Sequence, residues 1–208
     1  INYLTENNFE AKLEGIHPEI RQHSYYTAHP HSQLEGNRYN VRATYTAEQP
    51  MARTTLVNSH FDVVPQTLDF PEAFQGKVSD NKIWGRGACD TKNNIIMFVE
   101  AIRFLRENNI PITRNIKLDL VIEEEIGGNG TLSAILHGAE ADEVIVLEPT
   151  DLDFFRGHRG CLTFQIEVSG RSVHMGGDTS GVNAILCAYE VIKSLQSLEQ
   201  TLLAEAKK

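Results

Sequence analysis

The sequence predicts an α/β fold, a mainly parallel sheet flanked by helices, and two observations carry that prediction. Short apolar runs, 116–122 and 143–149, are separated by residues with helical spacing, the pattern of βαβ units. Three such runs also end in imidazole or carboxylate side chains: TTLVNSHFD in His60 and Asp62, LDLVIEEE in Glu124 and Glu125, and EVIVLEP in Glu148. In a parallel sheet these ends share one edge, where open α/β sheets place ligands.

Taken in order, residues 1–36 are mixed and rich in histidine. His29 and His31 flank Pro30 in a polar stretch without an acidic neighbour, which reads as a loop. Asn40 to Thr46 alternates as a strand, and Arg53 to Asn58 forms another that ends at His60. Asp80-Asn81 within VSDNKIW is hairpin-turn chemistry. Ile95, Phe98, Val99, Ile102 and Leu105 fall at helical spacing and predict a helix from about Thr91 to Asn108, with Asp90 as a candidate N-cap and Pro111 beyond its end. A helix around Thr131 to His137 follows the strand 116–122. After Asp151, Leu162, Phe164, Ile166 and Val168 alternate like a half-exposed antiparallel strand, and a helix is predicted from about Val182 to Ala206. One strand and one helix are too little for an independent domain.

Composition narrows the function. With 208 residues, 41% hydrophobic and 23% charged, the chain is of ordinary globular type. A net charge of -9, with no basic tract interleaved with aromatics, argues against nucleic acid as a partner. Cys89, Cys161 and Cys187 are odd in number and contain no CxxC pair, so neither a disulfide framework nor a thiolate metal site is indicated. No apolar stretch is long enough to span a membrane and no signal-peptide pattern is present, so the expectation is a cytoplasmic protein with no membrane partner. The first residue is Ile1 rather than Met, as expected of a trimmed chain.

Taken singly, the motifs are weak. HxD spacing is common by chance, Asp90 reads equally as a cap, Glu148 as a solvated strand end, three glutamates as a surface run, and His174 as a surface loop. Their conjunction at the ends of buried runs is what points to chemistry. Carboxylates crowded around an imidazole repel one another unless a cation joins them. A mixed nitrogen and oxygen set favours zinc over calcium or magnesium. In His60-x-Asp62 both side chains fall on one side of an extended segment, so Asp62 can fix the orientation of the imidazole. Of Glu124 and Glu125, one is expected to bind metal and the other to serve as a general base.

The stretches NSHFDVVP, WGRGACDTKNN, IEEEIGGNGT, LEPT and GHRGCLTFQIEVSGRSVHMGG, in that order across residues 55–190, resemble the M20 metallopeptidases, most nearly the acetylornithine deacetylase and succinyl-diaminopimelate desuccinylase branch. The resemblance implies a two-zinc amidohydrolase acting on linear amide bonds, with cobalt a possible substitute. It implies a catalytic domain, residues 1–156 here, and the beginning of an α+β lid, residues 157–208, through which such enzymes form homodimers. Carried over, His60 and Glu148 would bind one zinc and Glu125 the other, Asp90 would bridge them, Asp62 would support His60, and Glu124 would be the base. His174 would stabilise the oxyanion in a partner subunit's site. The expected substrate is an N-acyl amino acid, or alternatively a short peptide cleaved by a dipeptidase, aminoacylase or carboxypeptidase.

Two departures stand out. Glu123 takes a place where aspartate is common. The family's last metal ligand, a histidine in the returning part of the catalytic domain, has no counterpart before Lys208. The expectation is therefore an N-terminal portion, inactive alone, and a non-enzymatic metal-binding or dimerisation module stays open.

Overall fold

The computed structural model describes residues 1–32, 34, 36–48, 53–158, 160, 164–176 and 180–206. It divides into two compact units, Ile1–Phe154 and Phe155–Lys208. The first contains α1 (Asn2–Glu6), β1 (Glu10–Gly15), β2 (Tyr39–Tyr45), β3 (Thr54–His60), β4 (Lys77–Ser79), β5 (Lys82–Trp84), α2 (Asn93–Glu107), β6 (Asn115–Val121), α3 (Asn129–Leu136) and β7 (Glu143–Val146). The second contains α4 (Ala184–Glu205).

The main sheet has the order β1-β2-β6-β3-β7. β6, β3 and β7 are parallel neighbours, whereas β2 pairs antiparallel with both β1 and β6. Four strands thus share a direction and β2 opposes them, so the sheet is mixed. β3 lies between two parallel neighbours, and Leu56 to His60 are all buried. That environment explains the uninterrupted apolar run leading into the histidine. β1 was hidden in the sequence because its edge position leaves EAKLEG mostly exposed.

The two faces of the sheet are covered differently. Ile116, Leu118 and Leu120 of β6 pack with Ala43, Tyr45 and Val57 against Ile95, Val99 and Ile102 of α2. Leu118 and Val99 are fully buried, and truncating such a side chain to alanine costs roughly 2–5 kcal/mol. Opposite them, polar groups tie the sheet to α3. The Arg42 guanidinium bonds Asp119 at 3.0 Å and the Ala134 carbonyl at 3.1 Å, while Asn40 donates to the Gly130 carbonyl at 2.8 Å.

β4 and β5 form the predicted hairpin, with Asp80 and Asn81 both at positive φ in its turn. α2 begins at Asn93 rather than Thr91, and no side chain caps it. Asp90 has extended dihedrals (φ −114°, ψ 96°) ahead of the helix, so it is freed from capping for another use. β7 stops at Val146 rather than 149; the Leu147 N–H still bonds the Asn58 carbonyl at 2.9 Å, and Pro149 beyond it has no N–H to offer.

In the second unit, Phe164 to Val168 form no strand, and Leu162 lies outside the described residues. Among the described residues, one isolated bridge, Arg171 with Val182, precedes α4. Asn183 caps that helix through Ile185 N–H at 2.9 Å, and no α4 side chain is buried. No described helix is long and apolar enough to cross a membrane.

Candidate metal centre

His60 is the last residue of β3 and is 1% exposed. Its ring is held from both ends. Nδ1 lies 3.0 Å from the Asp62 backbone carbonyl and 3.4 Å from the Asp62 carboxylate, while Nε2 lies 2.9 Å from Asp90 Oδ1 and 3.8 Å from Glu148 Oε2. A carbonyl can only accept, so Nδ1 carries a proton. In a neutral ring Nε2 then presents a lone pair to two carboxylates, an arrangement that needs a positive charge between them. A proton supplies it when nothing else does. Burial disfavours the imidazolium, but the hydrogen bonds it donates to Asp62 and Asp90 and the charges of Asp62 and Glu148 outweigh it and raise the His60 pKa to about 9.

The carboxylates respond to the same crowding. Burial, against the pull of His60 but with the charges of Glu124, Asp90 and Glu125, pushes Glu148 up to about 7. Burial and Asp90 raise Glu125. Burial would raise Asp62 as well, but His60 and the backbone N–H groups of Glu124 (3.2 Å) and Glu125 (3.3 Å), all donating to its carboxylate, hold it below the usual range.

Among the described residues, two sets of three side chains place ligand atoms within 4.8 Å of one another: His60, Asp90 and Glu125, and His60, Glu124 and Glu148. One imidazole nitrogen with carboxylate oxygens is the donor chemistry that a zinc-like cation takes, so the residues fit the implied metal. Asp62, which fixes the ring from its far side, completes the arrangement in the manner of supporting carboxylates in metal sites.

The loop after β6 carries the stretch IEEEIGGNGT and treats its three glutamates differently. Glu123 turns inward at φ 59° and is buried, Glu124 is exposed and Glu125 half-buried. A non-glycine residue in this left-handed region costs on the order of 1–3 kcal/mol, which the surroundings must offset. Gly128 adopts φ 78°, and a Cβ at Gly130 would lie 2.0 Å from the Ile122 carbonyl oxygen, so α3 can abut the strand end only with glycine there.

Among the sequence candidates, His60, Asp62, Asp90, Glu124, Glu125 and Glu148 all lie in the first unit. His174 lies in the second, exposed, its Nδ1 accepting the Gly176 N–H at 3.2 Å. His29 and His31 have ring centroids 5.4 Å apart and, among the described residues, join no group of three ligand-bearing side chains. Sequence reasoning missed Lys92. Desolvation lowers its pKa against the charges of Asp62, Asp90 and Glu125, so it is a cation within the field of these carboxylates. Its place two residues after Asp90 was the available signal.

Residues 56–199 match the sequence profile of Peptidase family M20/M25/M40. A probable carboxypeptidase of Emericella nidulans is 31% identical over 208 aligned residues, covering 90% of this chain and 47% of that protein. An acetylornithine deacetylase of Myxococcus xanthus is 31% identical over 147 residues, covering 70% of this chain and 38% of the other. The fold is similar to that of a tripeptidase from Staphylococcus aureus, with a TM-score of 0.55 at 17% identity, over 92% of this chain and 48% of that one. The chain spans less than half the length of each. With the match covering most of the chain, including both sides of the His60 cluster, the protein belongs to Peptidase family M20/M25/M40.

Proposed function

We propose that the whole protein is a metal-dependent amidohydrolase that removes the acyl group from an N-acyl amino acid, in the manner of an acetylornithine deacetylase. The observation that carries this reading is the single imidazole whose Nε2 faces carboxylates at 2.9 and 3.8 Å, a geometry that calls for a cation. His60, Asp90, Glu125 and Glu148 would hold the metal, two zinc ions in the whole protein, with cobalt a possible substitute. A bound zinc ion supplies Lewis acidity, polarising an amide carbonyl and bringing the pKa of water towards ~7.

The chain's own residues supply the rest. Asp62 keeps the His60 ring turned so that Nε2 faces the cluster. Glu124 reaches solvent from a backbone held by Asp62, so it can take a proton from the attacking water and pass it to the leaving amine. His174 belongs to the proposal through the sequence resemblance, as a donor to the oxyanion in a partner subunit of a homodimer formed by the lid. Such donors are worth about 3 kcal/mol.

A second reading, a peptidase of the same family, is favoured by the longer match to the probable carboxypeptidase. A panel of N-acetylornithine, N-succinyl-diaminopimelate and simple dipeptides, assayed on the whole protein before and after chelation, tests both. The expected result is turnover of an N-acyl amino acid that chelator abolishes and zinc restores. Turnover of dipeptides alone selects the second reading, and turnover indifferent to chelator rejects both.

A further inference from the structure

One buried carboxylate has no part in the proposed chemistry. Glu123 is 6% exposed and stands where β6 gives way to the loop bearing Glu124 and Glu125. Ser32 Oγ lies 3.0 Å from both of its oxygens, and Asn129 Nδ2 donates to Oε2 at 3.0 Å. Asn129, itself fully buried at the head of α3, also donates to the Thr27 carbonyl at 2.9 Å and accepts the Thr27 N–H at 3.0 Å. The Thr27 hydroxyl in turn donates to the Gly127 carbonyl at 3.3 Å. A segment about 100 residues earlier in the chain is thereby fastened to both ends of the Glu123–Gly128 loop.

The loop closes on itself as well, since the Glu123 carbonyl accepts the Gly128 N–H at 2.7 Å. Burying a carboxylate is unfavourable unless donors satisfy it, and an apolar side chain of similar size would fill the same space while leaving Ser32 and Asn129 unpaired. What the carboxylate adds is direction. With Glu123 turned inward, the next two residues turn towards the cleft, where Asp62 takes both their N–H groups.

We propose that Glu123 is a positioning residue, which fixes the loop that aims Glu124 and Glu125 by tying it to Ser32 and Asn129. This rests on the reading of Glu125 as a metal ligand and Glu124 as the base. An isosteric amide at position 123 keeps one oxygen for Asn129 but turns the bond to Ser32 around, so that the hydroxyl must accept, and removes the charge that both donors serve, without changing the packed volume. The consequence appears at the cluster: Glu125 loses its fixed approach.

The test is a titration of the metal-free protein with Co2+ alone, following its visible absorption, for wild type, Glu123→Gln, Glu123→Asp, Ser32→Ala and Glu125→Gln, with the thermal stability of each metal-free protein in parallel. Glu123→Gln is expected to weaken Co2+ binding at least about tenfold and to change the absorption bands, the size of effect seen when groups that hold a ligand are lost. Glu123→Asp should recover part of both, and Ser32→Ala should shift both in the same direction by less. Wild-type affinity and bands in Glu123→Gln, whatever its melting temperature, would overturn the proposal. If Glu123→Gln does not fold, unchanged affinity and bands in Ser32→Ala overturn it instead. If Glu125→Gln itself leaves Co2+ binding untouched, the reading of the site fails and this inference falls with it.

Discussion

Asp62 and Glu148 lie on opposite sides of one imidazole and are treated oppositely. Asp62, beside Nδ1, receives two backbone N–H groups, and its pKa is drawn down. Glu148, beside Nε2, receives no hydrogen bond to its carboxylate from the described residues, and burial among like charges drives it up to about 7. The difference separates carboxylates that build the site from those that await a ligand. Where the protein supplies donors, the group is scaffold, as Asp62 and Glu123 are. Where it supplies only more negative charge, the group is placed for a cation.

The comparison breaks most visibly at the adjacent glutamates. Glu124→Gln should leave metal content intact and lower kcat at least ~100-fold, the low end of general-base contributions. Glu125→Gln should lower metal content. Elemental analysis after dialysis, alongside kcat, checks the pair, and equal metal loss in both would merge the roles assigned here.

A smaller effect sharpens the same contrast through pH. His60 has a folded pKa of about 9 against 6.5, so its stabilising contribution is complete below 6.5 and is lost as pH rises through 9. Glu148 is raised from 4.5 to about 7, so its contribution is likewise lost on the alkaline side, through 7. Asp62 has the opposite sign, but it acts below its ordinary 3.8, outside this window. The metal-free protein should therefore lose stability from about pH 4.5 to 9, through Glu148 first and His60 above 6.5, read as a fall in melting temperature of about 2–4 °C per kcal/mol for a protein of this size. Saturating zinc should flatten that slope, because the cation takes the place of the protons. Equal slopes with and without zinc would remove the link between crowding and metal.

What the sequence made legible follows from physical periodicity. β3, between two parallel neighbours, and β6, between antiparallel β2 and parallel β3, are both interior strands that bury most of their residues, so their apolar runs stand out and their terminal side chains can be assigned to one edge. α2 shows helical spacing because one of its faces packs on the sheet, whereas α4 forms a helix with none of its side chains buried. β1 was illegible because an edge strand with four of six residues exposed has no such signature, and the antiparallel placement of β2 depends on pairing rather than on its own residues. Glu123, Glu124 and Glu125 look alike in sequence, yet a single left-handed residue sends the first inward. The extended backbone of Asp90 was masked by good capping chemistry. The strand expected through Phe164 to Val168 is not formed, because alternation shows which side chains would share a face, not that a partner strand is there to pair.

The central claim is that His60 faces a cation through Nε2, and calorimetric titration of Zn2+ into wild type and His60→Gln at pH 8 tests it most directly. Wild type should bind, displacing the proton that the ring holds below about 9 and so giving a heat that depends on the ionisation enthalpy of the buffer. His60→Gln should bind at least ~100-fold more weakly, beyond what loss of a mere supporting group costs. Zinc binding of unchanged affinity in His60→Gln would contradict the account.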